Sequence, residues 1–278
     1  NFIYLIDRNG NKIDGFPIEL NSPAETELAV LDYDNNRDYR LLITCQNKRI
    51  YNYTINGKET EGWNHNKAND LTIHSFKHLA EKGKDYIITG ESNGKIHLLD
   101  RRGKNRVKVK KRVLTSDNNQ LQPFKSSEPA FTGVYLTDKD GTIFRVSLNG
   151  DVSSIDLGKY SPKHIFMVAD INKDGEPEFI FSDLNLLQVF NYKKEKVFEQ
   201  RLAPSATNPF LADLADQGVG IGYCFKDSEQ LVLFDSSGVM VDGFPLSGSS
   251  AFSINQTDEG LNVISASGDK GLTVQSIQ

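Results

Sequence analysis

The sequence has little of what marks a membrane protein, a disulfide-stabilised domain or a nucleic-acid binder. Its 278 residues include two cysteines, two methionines and one tryptophan. No apolar run approaches the roughly 18 residues that a membrane-spanning helix needs. The net charge of −5 is mild and predicts no general affinity for nucleic acid. We therefore expect a globular chain without a transmembrane segment and without a specific nucleic-acid partner.

Sequence motifs of familiar catalytic sites are also missing. No serine lies in a nucleophile-elbow pattern. His74 and His78 have the i, i+4 spacing of a helical zinc pair, but no glutamate follows His74 and the setting is typical of strand and loop. Residues 218–222, Gly-Val-Gly-Ile-Gly, lack the strand-to-helix context of a dinucleotide-binding loop. We predict that the protein is not an enzyme.

What the sequence does contain is an internal repeat. Six segments share an apolar strand, then a polar residue, two further residues and, in five cases, glycine. They are residues 3–10, 50–57, 96–103, 143–150, 187–194 and 231–238. Glycine can take the positive φ that closes a short hairpin, and Lys194 replaces it once. The period of 44 to 47 residues fits a four-stranded propeller blade, because strand-like alternation dominates.

The repeat assigns a strand pattern to each unit. One unit should contain strands at residues 28–31, 41–44, 50–55 and 58–63. Another should contain strands at residues 165–169, 178–181, 187–191 and 196–202. Aromatic residues at matching positions, Phe16, Trp63 and Phe244, should pack between blades. The polar residues 115–129 are predicted to form a long mobile insertion.

The strand count at the two ends of the chain leaves two blade numbers. The repeat gives two strands to residues 2–20 and three to about residues 251–277. We prefer an all-β propeller of seven four-stranded antiparallel blades, the first and last incomplete in this chain; six blades are the alternative. Seven blades need three more strands, which upstream sequence would supply. Because the chain starts in strand-like sequence without an initiator methionine, we expect residues 1–278 to be a single propeller domain from a longer protein.

One connection between predicted strands carries polar side chains at alternate positions. It reads Asp170-x-Asn172-x-Asp174-Gly175-x-x-Glu178. Calcium prefers six to eight oxygen ligands, and alternate positions of a tight turn can converge on one point. The expected ligands are side-chain oxygens of Asp170, Asn172, Asp174 and Glu178 and the backbone carbonyl of Glu176. We predict one structural calcium ion; the alternative is an acidic, solvated turn capped by its own hydrogen bonds.

A sister loop in the second repeat departs from this pattern. It keeps Asp32, Asp34 and Asn36, but Arg37 stands where the glycine would be and Arg40 where the last carboxylate would be. We expect a guanidinium, rather than a metal ion, to neutralise this loop. A single ion is therefore the expected maximum for the chain.

The acidic loop resembles the calcium loops of FG-GAP and integrin-α type propellers. Residues 31–40 and 50–53 resemble uncharacterised bacterial envelope propellers of the quinoprotein-dehydrogenase-like class. This resemblance implies a non-catalytic binding platform in the periplasm or cell envelope, with other envelope-complex proteins as partners and with peripheral membrane association as an option. A quinone cofactor is not expected, because quinoprotein dehydrogenases carry a tryptophan motif in most blades and this chain has a single tryptophan.

A second unusual stretch has eight basic residues within positions 101–112. Alternate residues would share one face of an outer strand, and we call these four the basic stripe: Lys104, Arg106, Lys108 and Lys110. The stripe could bind an acidic protein, lipid headgroups or another polyanion. The alternative is that its charges protect an exposed strand edge from aggregation.

Two functions are compatible with these patterns. We prefer a non-catalytic protein-interaction or assembly scaffold of a bacterial cell envelope. The alternative is a ligand- or glycan-binding propeller, with or without enzymatic activity, that has a pocket at the mouth of its channel.

Cys45 and Cys224 lie in separate repeats, and we expect two buried free thiols.

Overall fold

The computed structural model describes residues 1–257, 260–266 and 271–277. The chain forms two compact units, residues 1–125 with 132–156 and residues 126–131 with 157–278. The interpretation of residues 1–278 as one domain stays a prediction. Among the described residues there is no helix with the length and hydropathy of a membrane span.

The first unit consists of antiparallel sheets. Its strands are β1 (Phe2–Ile3), β2 (Ile18–Glu19), β3 (Ala29–Leu31), β4 (Arg40–Thr44), β5 (Ile50–Thr54), β6 (Lys77–Glu81), β7 (Lys84–Gly90), β8 (Ile96–Leu99), β9 (Asn105–Lys108), β10 (Gln122–Phe124), β11 (Gly133–Thr137), β12 (Ile143–Ser147) and β13 (Val152–Ile155). They pair in chain order as β1–β2, β3–β4–β5, β6 to β9 and β10 to β13. Each sheet is therefore a local meander.

The second unit continues the same pattern. Its strands are β14 (Ile165–Ala169), β15 (Glu178–Asp183), β16 (Leu186–Phe190), β17 (Lys196–Arg201), β18 (Phe210–Asp213), β19 (Val219–Phe225), β20 (Gln230–Phe234), β21 (Leu246–Ser247), β22 (Ser253–Thr257), β23 (Gly260–Ala266) and β24 (Leu272–Ile277), with a 3₁₀ turn at Ala215–Gln217. They form sheets β14 to β17, β18 to β21 and β22 to β24. The all-β prediction is confirmed.

The core of each unit lies between successive sheets. In the second unit, Ile180 and Val189 of one sheet pack in the same cluster as Ile221 and Val232 of the next. In the first unit, Ile88 and Val134 are both fully buried in a cluster that two sheets share. Middle strands are buried on both faces, so their sequences are nearly continuous apolar runs.

The glycine turns have the predicted backbone conformation. Gly103, Gly150 and Gly238 have φ of 72°, 87° and 84°, and Lys194 takes φ 69° with a side chain, which is a small strain. These turns also touch the preceding sheet. A Cβ at Gly103 would lie 2.7 Å from the nitrogen of His65, and one at Gly150 would overlap the carbonyl oxygen of Lys108. The repeated glycine therefore serves packing between sheets as well as turn geometry.

The fold contradicts two predictions, an outer strand at residues 58–63 and a mobile insertion at residues 115–129, and confirms the two free cysteines. Residues 58–63 do not form a strand: only Tyr53 and Glu59 make an isolated bridge, because the chain turns away at Gly62, where φ is 76°. Residues 115–129 are not a mobile insertion, since they contain β10 and the buried Leu121. The two cysteines are buried and free, as predicted.

The three matching aromatic residues pack as expected. Phe16 and Phe244 are each 9% exposed and belong to apolar clusters. Trp63 is half-buried and lies edge-on to Phe76, with 6.4 Å between the ring centroids. Their role in packing is confirmed.

Candidate functional site

The predicted calcium loop lies where β14 ends and β15 begins. Ala169 and Glu178 face each other across the strand pair, so the eight intervening residues form a closed loop. Gly175 has φ 89°, the sharp bend that the sequence predicts. Its N–H donates to Oδ2 of Asp170 at 2.9 Å. Strand pairing and this bond bring the first and last predicted ligands to the same end of the sheet.

Negative charge in this loop is poorly compensated. Oδ1 of Asp170 is buried and has no hydrogen-bond partner among the described residues. Glu178 is 2% exposed and accepts one hydrogen bond, from the N–H of Ile171 at 2.9 Å. Burial is the main cause that raises the pKa of Glu178 to about 7; the hydrogen bond from Ile171 opposes the rise, and nearby carboxylates, Asp174 first among them, add to it. Both features are what a bound cation would relieve.

The side chains at the loop tip are engaged with each other. Nδ2 of Asn172 donates to Oδ2 of Asp174 at 2.9 Å, and Oδ1 of Asp174 accepts the N–H of Glu176 at 2.8 Å. Within the ranges that the structure describes, no group of three His, Cys, Asp or Glu side chains is arranged to hold a metal ion. The oxygen-rich chemistry fits calcium, but the side chains at the tip would have to turn to coordinate it. The calcium ion stays a prediction.

Two residues that are not predicted ligands, Ser126 and Lys173, connect the loop to other segments of the unit. Ser126 donates its hydroxyl to the carbonyl oxygen of Gly175 at 2.5 Å. Lys173, at the tip, extends away from the carboxylates and contacts Oδ1 of Asp213 at 3.1 Å and the carbonyl of Ala215. Sequence reasoning missed both, because they depend on segments far away in the chain.

The sister loop is neutralised by arginine. Arg40 pairs with Asp38, with Nη1 2.6 Å from Oδ1. Arg101 holds both oxygens of Asp34, at 2.6 and 2.8 Å, and also contacts Asp85 at 2.6 Å. These hydrogen bonds lower the pKa of Asp34. The expectation of a guanidinium is met, but the main donor, Arg101, comes from the turn after β8 and not from this loop.

The basic stripe follows the outermost strand of its sheet: Arg106 and Lys108 lie on β9, and Lys104 and Lys110 flank it. β9 pairs with β8 alone. The four basic side chains of the stripe are exposed, whereas Val107 is half-buried and packs against the core. The N–H of Lys110, beyond the strand, donates to the carbonyl of Gly150 at 2.9 Å, so a neighbouring turn covers part of this edge. β9 contains only Arg106 and Lys108 of the four, and its pairing with β8 is irregular between Leu98 and Leu99, so a single face shared by all four residues stays a prediction.

The four cations of the stripe differ in their local partners. Arg106 donates to the carbonyl of Asp85 at 2.7 Å and lies over the ring of Tyr86. Lys110 pairs with Asp151 at 2.5 Å. Lys104 and Lys108 make no ion pair with any residue that the structure describes. Two stripe positions thus carry charge that the protein itself does not neutralise.

The two histidines with zinc-like spacing are separated by their contacts. Nε2 of His74 lies 3.1 Å from the hydroxyl of Thr115. Nε2 of His78 lies 2.8 Å from Oδ1 of Asp85. Each ring has its own partner, and the two do not form a metal pair.

No protein-family model and no curated protein sequence matches the chain. Solved structures do. A catalytically inactive virginiamycin B lyase from Staphylococcus aureus, with quinupristin, matches with a TM-score of 0.61 and 14% identity, over 100% of this chain and 88% of that one. BBS1N in complex with ARL6DN matches with a TM-score of 0.60 and 12% identity, over 96% and 83%. These neighbours are β-propellers.

The chain has a β-propeller fold. A further propeller, the Aleuria aurantia lectin in complex with Fucα1-6GlcNAc, matches with a TM-score of 0.50 and 12% identity, over 91% of this chain and 97% of the lectin. At such identities the likeness shows the fold alone. The predicted architecture is thus confirmed at the level of the propeller, and the number of blades stays a prediction.

Proposed function

We propose that this propeller is a non-catalytic scaffold that binds an acidic surface of a partner protein through the basic stripe. The observation that carries the proposal is the pair of exposed cations, Lys104 and Lys108, which have no ion-pair partner among the described residues. Lys108 lies on β9, whose inward side chain, Val107, packs against the core, and Lys104 directly precedes this strand in a turn that its N–H closes by donating to Oδ1 of Asp100 at 3.0 Å. Their spacing is therefore fixed before any partner arrives, which lowers the entropic cost of binding.

The net charge of the chain supports this proposal. The chain carries a net charge of −5 although eight basic residues lie between positions 101 and 112. A basic surface on a protein of net negative charge orients an approaching acidic partner and disfavours basic ones. Among the structural neighbours, BBS1N is a propeller solved in complex with ARL6DN, which is a precedent for a protein partner on this fold.

The finer features of the proposal rest on the sequence and the sheets. Among the described residues there are seven sheets, which supports seven blades. A calcium ion in the loop 170–178 would stabilise the connection between β14 and β15 without taking part in binding. Placement in the periplasm or cell envelope, with envelope-complex partners, rests on the family resemblance.

Reversal of the two unpaired charges tests the scaffold function. The variant Lys104→Glu/Lys108→Glu should lose partners captured from a native envelope extract, with about tenfold weaker binding at low salt. The matched control is Lys58→Glu/Lys139→Glu, which changes the net charge equally at two other exposed lysines of the same unit. Captured proteins are compared by quantitative mass spectrometry at two salt concentrations. If both variants keep every partner, the stripe only protects a strand edge.

A further inference from the structure

A small polar pocket lies in the first unit, where three successive sheets begin. Its volume is about 170 Å³. Residues 25–27 precede β3, residues 73–75 precede β6 and residue 120 precedes β10, and each of these strands is the first of its sheet. All three segments lie well inside the chain. The lining residues are Glu25, Thr26, Glu27, Ile73, Ser75 and Gln120.

Hydroxyl groups tie the first wall of this pocket to the second. The N–H of Glu25 donates to the carbonyl oxygen of Thr44 at 2.8 Å. The hydroxyl of Thr44, which is fully buried, donates to the carbonyl oxygen of Thr72 at 3.3 Å. A hydroxyl has one proton to donate, so Thr44 accepts the bond that joins it to the hydroxyl of Thr26 at 3.1 Å. One chain of hydrogen bonds thus links the segment before β3 to the segment before β6.

The amide of Gln120 ties the second wall to the third. Its Oε1 accepts the N–H of Ser75 at 3.3 Å and lies 3.3 Å from Nδ1 of His74. A backbone N–H is always a donor, so this contact identifies the oxygen of the amide. The Nε2 group of Gln120 makes no hydrogen bond with a described residue and keeps both of its donors for a ligand. The walls are therefore held in place in advance, which lowers the cost of binding.

The side chain of Ser75 is the observation that points to a ligand. Ser75 lines the pocket and is 6% exposed. Its N–H bonds to Gln120, but its hydroxyl makes no hydrogen bond with any residue that the structure describes. Burying a hydroxyl without a hydrogen bond costs free energy. A ligand that supplied this bond would recover that cost.

Two carboxylates give the pocket its charge. Glu25 and Glu27 make no ion pair with the part of the chain that the structure describes. Among the described lining residues there is no lysine or arginine, and Ile73 supplies the apolar surface. The lining therefore matches a ligand that carries a positive charge, hydroxyl groups and a short hydrocarbon face.

We propose that this pocket binds a small protonated amine that carries hydroxyl groups, of about the size of one amino sugar. Its ammonium group would pair with Glu25 and Glu27, and its hydroxyl groups would bond to Oγ of Ser75 and Nε2 of Gln120. At about 30 Å³ for each water molecule, the pocket has room for roughly six waters, which limits the ligand to about one ring. The site is separate from the basic stripe and does not rest on the function proposed for the stripe.

Ligand-observed NMR on the full chain at about pH 6 tests the proposal, with glucosamine as the probe. Glucose is the matched control, because it has a hydroxyl where glucosamine has its ammonium group. Glucosamine should bind more tightly than glucose by about tenfold or more, since charge-assisted hydrogen bonds are much stronger than neutral ones. Equal binding of the two sugars, or no saturable binding of glucosamine, would overturn the proposal.

Variants of the two carboxylates locate the binding. Glu25→Gln/Glu27→Gln should remove the preference for glucosamine, because it removes the charge and keeps the shape of the side chains. The matched control is Glu59→Gln/Glu61→Gln, which changes the net charge equally at two exposed glutamates of the same unit and should keep the preference. A preference that survives in Glu25→Gln/Glu27→Gln would place the binding elsewhere and overturn the proposal.

Ser75→Ala separates loss of the site from loss of the fold. The hydroxyl of Ser75 makes no bond within the described protein, so its removal should leave the stability to urea unchanged or slightly higher. Glucosamine binding should nevertheless weaken by about threefold to tenfold, because a ligand bond is lost. Unchanged glucosamine binding in Ser75→Ala would contradict the role of this hydroxyl, and a large loss of stability would show that Ser75 serves the fold instead.

Discussion

Replacing Glu178 by glutamine tests whether the acidic loop holds uncompensated charge. Glutamine keeps the shape of the side chain and can still accept the N–H of Ile171 through its amide oxygen. It removes the charge that burial and the neighbouring carboxylates disfavour. The comparison between the wild type and Glu178→Gln therefore isolates one ionisation.

The expected size and sign follow from the pKa. Its rise from the usual 4.5 to about 7 corresponds to roughly 3 kcal/mol, and solvent screening at the loop reduces this to about 1–2 kcal/mol. Since the folded state holds the proton more tightly than the unfolded state, this stability is complete below pH 4.5 and is lost as the pH rises through about 7. Between pH 5 and 8 the free energy of unfolding of the wild type should fall relative to that of Glu178→Gln.

Urea unfolding at several pH values measures this difference, with a calcium chelator present throughout. Glu195→Gln, at an exposed glutamate of the same unit, is the control and should follow the wild type. Parallel profiles for the wild type and Glu178→Gln would refute the reasoning. A second series with calcium at pH 8 should restore the wild type, because a cation favours the ionised carboxylate. Failure of that series alone would refute the calcium ion and leave the charge argument standing.

Two further predictions concern packing and acid stability. Gly10→Ala and Gly150→Ala both place a side chain at a positive φ, which should lower the free energy of unfolding by about 1 kcal/mol. In Gly150→Ala the new methyl group also overlaps the carbonyl of Lys108, so this variant should lose a further 1–3 kcal/mol or so. Equal melting temperatures of the two variants by calorimetry would contradict the packing role of Gly150. Burial lowers the pKa of His74 to about 4, so stability present above pH 6.5 should be lost as the pH falls towards 4. His74→Gln should flatten that acid limb in urea titrations, and an unchanged limb would show that the cost of protonating His74 is not its source.

The repeat made most of the fold predictable from the sequence. Strands β14 and β15 begin at the predicted residues because apolar alternation and the acidic loop mark them clearly. The prediction of a strand at residues 58–63 was wrong, because their spacing matches that of an outer strand but the chain turns away from the sheet at Gly62. β10 was missed because the polar residues around it hide a short strand anchored by the buried Leu121.

The candidate sites were predictable where they are local. The acidic loop and the basic stripe are contiguous in sequence, so their positions relative to the strands could be predicted: the loop joins β14 and β15, and two of the four stripe residues lie on the outer strand β9. The arginine that neutralises Asp34 comes from position 101, and no pattern in the sequence links the two.

The contrast between the two acidic loops has a consequence for how the protein responds to its surroundings. Asp34 is held by a guanidinium, whose charge does not change in any physiological medium. Glu178 has no such partner in the part of the chain that the structure describes, and its pKa of about 7 lies near neutral pH. The ion pair that Arg101 makes with Asp34 therefore stays charged at any physiological pH. The stability of the β14–β15 connection should therefore change with pH near neutrality, falling as Glu178 ionises.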